Sequence, residues 1–142
     1  MIYIGIDPGK NGAVAVLDNG KITVDKCPET VADMVQLLSE NANGLVLLEH
    51  VHSMPKQGVA STFTFGQNYG EWLGILAALN IPHKIVTPQK WQKLIGVMPK
   101  EKSERKKAIQ ASMQRLYPTT KITLYAADAV ALASVAKNFF EE

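Results

Sequence analysis

Apolar residues recur along this chain in two rhythms, and their alternation predicts an α/β fold. Residues 2–6 (IYIGI) are apolar and partly β-branched, the pattern of a buried strand that begins almost at residue 1. The following DPGKNG, from Asp7 to Gly12, reads as a turn, because proline fixes φ and the two glycines permit left-handed backbone. A second strand is predicted at 13–17 (AVAVL), and Asn19-Gly20 is a two-residue hairpin signal leading into a third at 22–26 (ITVDK). Pro28-Glu29-Thr30 opens a helix to about Ser39, with Val31, Met34, Val35 and Leu38 on one face. Gly44 restarts the chain as a strand at 45–48 (LVLL) that stops in Glu49. After a loop containing Pro55 and Gly58, a helix from about Ser61 to Leu79 carries the stripe Leu73, Leu76 and Ala77. A short strand at 84–86 precedes Thr87-Pro88, a cap followed by proline at the first helical position. Helices at 87–95, 101–116 and 126–139 complete the chain. This order predicts one domain over 1–142, built on a mixed five-stranded sheet. The first three strands run antiparallel and the rest parallel, with helices on both faces.

Three carboxylates interrupt this pattern. Asp7 follows an apolar strand directly, and so does Glu49. A buried strand ending in an unpaired acid is costly unless the acid is paired or binds a cation. On adjacent parallel strands the two would share one sheet edge, a common place for a site in α/β sheets. Asp128 is the lone acid of LYAADAVALASVA, an otherwise small and apolar helix whose N-terminal dipole favours an anion. Each has a plain reading as well: a turn residue, a solvated strand end, a first-turn acid. Together they form a candidate metal site. Oxygen ligands select hard cations, Mg²⁺ or Mn²⁺, and the scarcity of cysteine and histidine argues against zinc.

Composition adds two constraints. At 142 residues, with 46% hydrophobic and 20% charged residues, the chain is large and apolar enough for its own core. The single cysteine, Cys27, forms no internal disulfide; it reads as an inert, small apolar residue in a protein of a reducing compartment. No stretch approaches the ~20 apolar residues of a membrane span, and the N-terminus lacks the basic lead of a signal peptide, so a cytoplasmic protein is expected. The net charge of +2 conceals an asymmetry. Residues 84–107 carry eight basic side chains against two acidic ones, a net +6, which leaves the remainder at −4. Such a division suits a surface that meets phosphates beside an acidic, cation-holding remainder. A merely solvated helix face is the plain alternative for the run KEKSERKK.

The residues also resemble a known family, the RuvC-like Holliday junction resolvases, particularly their short phage-type and plant-organelle-type branch. The matching stretches are Ile4-Gly5-Ile6-Asp7-Pro8-Gly9, Leu48-Glu49-His50-Val51, Phe65-Gly66-Gln67 through Gly70, Val86-Thr87-Pro88 with Trp91, Lys102-Ser103, and Ala127-Asp128-Ala129, in the family's order over nearly the whole chain. The resemblance implies an RNase H-like fold and a homodimer that cuts four-way DNA junctions by paired symmetric nicks. It implies two divalent ions, Mg²⁺ or Mn²⁺, held by Asp7, Glu49 and Asp128, with 5′-phosphate and 3′-hydroxyl products. Two ions ~4 Å apart can clamp both the attacking and the leaving oxygen.

Lys102 falls where the family places a lysine near the scissile phosphate, and Lys93 at a DNA-contact position. His52 stands where bacterial members carry an aromatic wedge, its plainer reading being a loop histidine. With the basic run, the expected DNA-facing set is His52, Lys93, Lys100, Lys102, Ser103, Arg105 and Lys106. The helix bearing Gly70, Gly74 and Ala78 matches the one that packs across the family's dimer axis. Phe63, Phe65, Tyr69 and Trp72 are expected in core and dimer packing, with base stacking as the lesser alternative, and Trp91 in the core.

One departure stands out. Family members usually carry a fourth acid a few residues before the last, and Thr123 to Ala127 contains none. Three carboxylates then suffice with water completing the shell, or the second ion is weakly held, or activity is impaired. Two rival classes follow: a non-cleaving protein that binds junctions or branched DNA, and a nuclease for other branched DNA or RNA–DNA hybrids. An actin-like ATPase shares Gly-Ile-Asp-x-Gly but needs two such lobes, and this length supplies one.

Overall fold

The computed structural model describes residues 1–50 and 58–141. Its five strands are β1 (Ile2–Asp7), β2 (Ala13–Asp18), β3 (Lys21–Lys26), β4 (Leu45–Glu49) and β5 (His83–Val86). The helices are α1 (Val31–Ser39), α2 (Val59–Ala78), α3 (Pro88–Ile95), α4 (Lys102–Leu116) and α5 (Ala127–Phe140). The strands form one sheet in the order β3-β2-β1-β4-β5. β1–β2 and β2–β3 are antiparallel; β1–β4 and β4–β5 are parallel. This is the mixed sheet that the sequence predicts. At the β2–β3 hairpin, Asn19 and Gly20 both take positive φ, 49° and 85°, as the tight two-residue turn requires.

Alternation along the strands divides the core into two layers. Ile4, Ile6, Val14, Val16, Val46 and Leu48 point to one face, where Met34 and Leu38 of α1 and Trp72, Ile75 and Leu76 of α2 cover them. Tyr3, Ala13, Ala15 and Leu47 point to the other, beneath α5, with Trp91 of α3 and Ile109 and Met113 of α4 around it. Two predicted helix faces shift in detail. Val31 stays exposed, since a helical side chain leans back over the preceding turn and Val31 has no turn of α1 before it. On α2 the buried set is Trp72, Ile75 and Leu76, while Ala77 is exposed. Thr87, Glu101 and Ala126 act as caps, so each of the last three helices begins one residue later than expected. Among the described residues no helix is long and apolar enough to cross a membrane.

The two layers differ in the size of their side chains. The α1/α2 face of β1 and β2 is built from Ile and Val, whereas the α5 face presents Gly5, Ala13 and Ala15. α5 answers with its own small residues, Ala127, Ala129, Ala131, Ala133 and Ala136, all buried. The approach is closest at Gly5, where an added Cβ would collide with the backbone of Ala129 and Ala133. Main-chain atoms of a helix cannot move aside as a flexible side chain does, so overpacking here is poorly relieved. Gly5→Ala should therefore destabilise the protein by about 3 kcal/mol or more. Urea denaturation of the variant checks this, and a loss below about 1 kcal/mol would contradict the close approach.

Candidate metal centre

Strand register brings the three acids together. Ile6 pairs with Leu48 in the parallel β1–β4 ladder, so the next residues, Asp7 and Glu49, end their strands side by side. Ile6 and Leu48 both face α1 and α2; by alternation Asp7 and Glu49 face α5. α5 reaches that end of the sheet with its N-terminus, and Asp128 lies in its first turn. Ligand oxygens of Asp7, Glu49 and Asp128 all lie within 4.8 Å of one another, and each side chain is partly buried.

Three like charges so close are mutually unfavourable. Burial first, then the Glu49 and Asp128 charges, hold the Asp7 carboxyl well above the usual carboxylate range. Glu49 is pushed up to about 7 by burial and by Asp128, against the opposing hydrogen bond from Trp91 and the charge of Lys106. Asp128 is raised by burial, opposed by Lys106, Arg105 and Lys102. Its Oδ1 is buried without a hydrogen-bond partner, and its Oδ2 lies 3.9 Å from Lys106 Nζ. A buried carboxylate oxygen with no donor, beside two further acids, has the chemistry of a cation ligand. The donor set is all oxygen and fits Mg²⁺ or Mn²⁺.

The surroundings hold this end of β1 in place. Gly9, at φ 119°, donates its N–H to Asn68 Oδ1 of α2 at 2.8 Å, and Gly12 N–H closes the turn on the Gly9 carbonyl at 3.0 Å. Cys27 is buried; its Sγ donates to the Asp7 carbonyl at 3.3 Å, and burial with the Asp7 charge pushes the thiol up to about 12. The expectation of an inert cysteine is met. Glu49 Oε2 accepts from Trp91 Nε1 at 2.7 Å.

The acids sit in an open cleft of about 830 Å³. Its walls are the Pro8–Gly12 turn, the start of α2 around Ala60 and Thr64, and the first turns of α4 with Lys102, Arg105 and Lys106. Of the expected DNA-facing set, those three line the cleft. Lys93 lies instead beside Gly96, Val97 and Met98 in a separate shallow groove. Ser103 is engaged in the α4 cap, its Oγ donating to Glu101 at 2.6 Å, and the Lys100 carbonyl accepts from Arg105 Nη1 at 3.2 Å. His52 lies outside the described residues. Lys10 also lines the cleft and was not singled out by the sequence pattern. Nor did that pattern signal the Gly9–Asn68 bond, since only the tertiary fold brings the two residues together.

No protein-family model matches the chain, and no curated protein is detectably similar to it. Two solved structures are similar in fold. One is "T. thermophilus RuvC in complex with Holliday junction substrate", with a TM-score of 0.70 and 16% identity over 99% of this chain and 94% of that one. The other is a Thermus thermophilus RuvC structure, with a TM-score of 0.68 and 17% identity over 99% and 95%. At these identities the likeness establishes the fold. The chain has the RNase H-like fold of RuvC, with helices on both faces of its mixed sheet, as the sequence implied.

The raised carboxyls have a consequence for stability. An acid whose folded value lies above its unfolded value contributes stability below the unfolded value, and that contribution is lost as pH rises through the folded value. For Glu49 the window runs from the ordinary 4.5 to about 7. In metal-free protein Glu49→Gln should thus stabilise the fold at pH 8 by on the order of 1–3 kcal/mol, and by little at pH 4. Chemical denaturation in chelator at the two pH values tests it; a gain at pH 4 as large as at pH 8 would contradict an ionised, repelled Glu49.

Proposed function

We propose that this protein is a divalent-metal-dependent Holliday junction resolvase, of the short phage- and organelle-type organisation, acting inside the cell as a homodimer on four-way junction DNA. The observation that carries the reading is the trio Asp7, Glu49 and Asp128 at the sheet end, facing the basic wall of α4 across one open cleft. The likeness in fold to a RuvC solved in complex with a Holliday junction substrate supports it.

In this reading Asp7, Glu49 and Asp128 hold two Mg²⁺ or Mn²⁺ ions. When bound, these supply Lewis acidity and an activated water for in-line hydrolysis, leaving 5′-phosphate and 3′-hydroxyl ends. The chain's own residues do the rest. Lys102, Arg105 and Lys106 offset the phosphate charge and fix the backbone in the cleft, with Lys102 near the scissile phosphate as a catalytic residue. Lys93 and Lys100 would extend the DNA contact beyond the cleft, and Ser103 and His52 belong to the same proposed contact set, His52 lying outside the described residues. Oδ1 of Asp128, buried and without a donor, is left for a cation. A homodimer is supported by the outer face of α2, where Gly66, Gly70 and Gly74 have open space in front of them and Val59 and Phe63 are exposed. Two copies would set two identical sites against the two strands of a symmetric junction.

One observation favours a second reading. Among the described residues the acidic cluster has three members, and Thr123 to Ala127 adds none. A protein that binds junctions or other branched DNA without cutting would tolerate that. Incubating purified protein with a synthetic four-way junction and Mg²⁺ or Mn²⁺ separates the two. Paired symmetric nicks, lost by at least 100-fold in Asp7→Asn, are expected. Tight binding with no cleavage would establish the binder instead. Equal or faster cutting of flaps, forks or RNA–DNA hybrids would reassign the substrate.

A related experiment addresses the basic wall. Neutralising Lys102, Arg105 and Lys106 together removes up to three phosphate contacts, so junction binding should weaken and its log–log dependence on salt should flatten by roughly 2–3 in slope. An unchanged slope would take α4 off the DNA surface.

A further inference from the structure

We propose that Trp91 is a positioning residue of the metal centre, its indole N–H fixing the Glu49 carboxylate in the orientation that faces Asp7 and Asp128. This rests on the reading that the trio holds a divalent ion. Trp91 is completely buried, yet its Nε1 reaches 2.7 Å to Glu49 Oε2. Donor and acceptor are anchored to the same place in the fold. Glu49 pairs with Val86 at the end of the β4–β5 ladder, and the His50 N–H continues that ladder to the Val86 carbonyl at 2.7 Å. The chain then turns at Thr87 into α3, and the Trp91 N–H closes the first turn on the Thr87 carbonyl at 3.3 Å. The indole is thereby held one helical turn beyond the strand that sits beside Glu49.

The chemistry of the pair suits a cation site. Glutamate has the longest side chain of the trio and the most rotamers to lose, so it gains most from a tether. An indole donates one hydrogen bond, accepts none and does not titrate; it orients a carboxylate without competing for the ion. With one lone pair of Oε2 engaged, Oε1 and the second lone pair of Oε2 remain for a ligand. Such outer partners govern how well first ligands hold a metal. Trp72 supplies the internal contrast. It is as deeply buried, under the opposite face of the sheet, but its Nε1 has no partner. Packing alone accounts for Trp72 and leaves the Trp91–Glu49 bond unaccounted for.

The test uses Mn²⁺ binding to the full-length protein without DNA, followed by calorimetry or by electron paramagnetic resonance of free Mn²⁺. Trp91→Phe keeps the buried ring and deletes the donor; Trp72→Phe does the same where no bond exists. The expected result is Mn²⁺ affinity weakened roughly 10-fold or more in Trp91→Phe and unchanged in Trp72→Phe. Equal affinities in wild type and Trp91→Phe would overturn the positioning role, even if that variant melts earlier. Asp128→Asn reads the underlying site separately. Binding by wild type but not by Asp128→Asn upholds the trio whatever Trp91→Phe does, whereas no binding by wild type overturns both. Should Trp91→Phe fail to fold, the indole ¹H–¹⁵N signals of the wild type decide. The Trp91 signal should stay in its hydrogen-bonded position through Mg²⁺ saturation and move upfield in Glu49→Ala, which removes the acceptor, with Trp72 unmoved. Loss of the bonded Trp91 signal on Mg²⁺ saturation would overturn the proposal.

Discussion

How closely α5 lies on β1 decides whether this protein has a site at all. Asp7 and Glu49 are brought together by strand register, but Asp128 joins them only because a helix backbone can rest on the sheet at Gly5. Small residues on both sides make that contact possible: Gly5, Ala13 and Ala15 below, Ala129 and Ala133 above. An additional methyl layer would lift the helix and spread the acids. The alanine-rich composition of α5 is thus a statement about distance, and the opposite face, packed with Ile and Val, is under no such restriction.

The same contact forces an electrostatic conflict that the rest of the molecule moderates. Three acids within 4.8 Å, half withdrawn from water, repel one another and are held less ionised than free carboxyls. Lys106 relieves Asp128, and the Trp91 N–H relieves Glu49. What is left over favours a divalent cation. Sites of this kind commonly trade stability for function, since the arrangement that binds the ligand is strained without it. The basic wall of α4 damps the repulsion, through Lys106, Arg105 and Lys102.

Much of this was legible in the sequence. The Asn19-Gly20 turn, the strand ends at Asp7 and Glu49 and the lone acid of α5 all follow from local patterns, because each depends on residues within one element. Contacts between elements were not. Trp91 reads as a core residue, and its bond to a carboxylate 42 positions earlier exists only because β4 and β5 lie side by side. The basic segment likewise reads as one surface, yet the structure divides it. Lys102, Arg105 and Lys106 turn into the cleft, Lys93 lies in another groove, and Ser103 serves a helix cap. Helical phase within α4 and the turn between α3 and α4 set that division, and neither is fixed by charge counting.

The strand order leaves β3 and β5 at the margins of the sheet, where unpaired main-chain groups invite another strand. Both margins are guarded. β3 turns Lys21, Thr23, Asp25 and Lys26 to solvent, and β5 is four residues long and carries His83 and Lys84. Lys84 reaches across to the carbonyl of Phe139 at the end of α5. Charges placed this way oppose edge-to-edge growth of the sheet. A second copy of the sheet would therefore find little purchase along either margin, and the strand ladder stops at five.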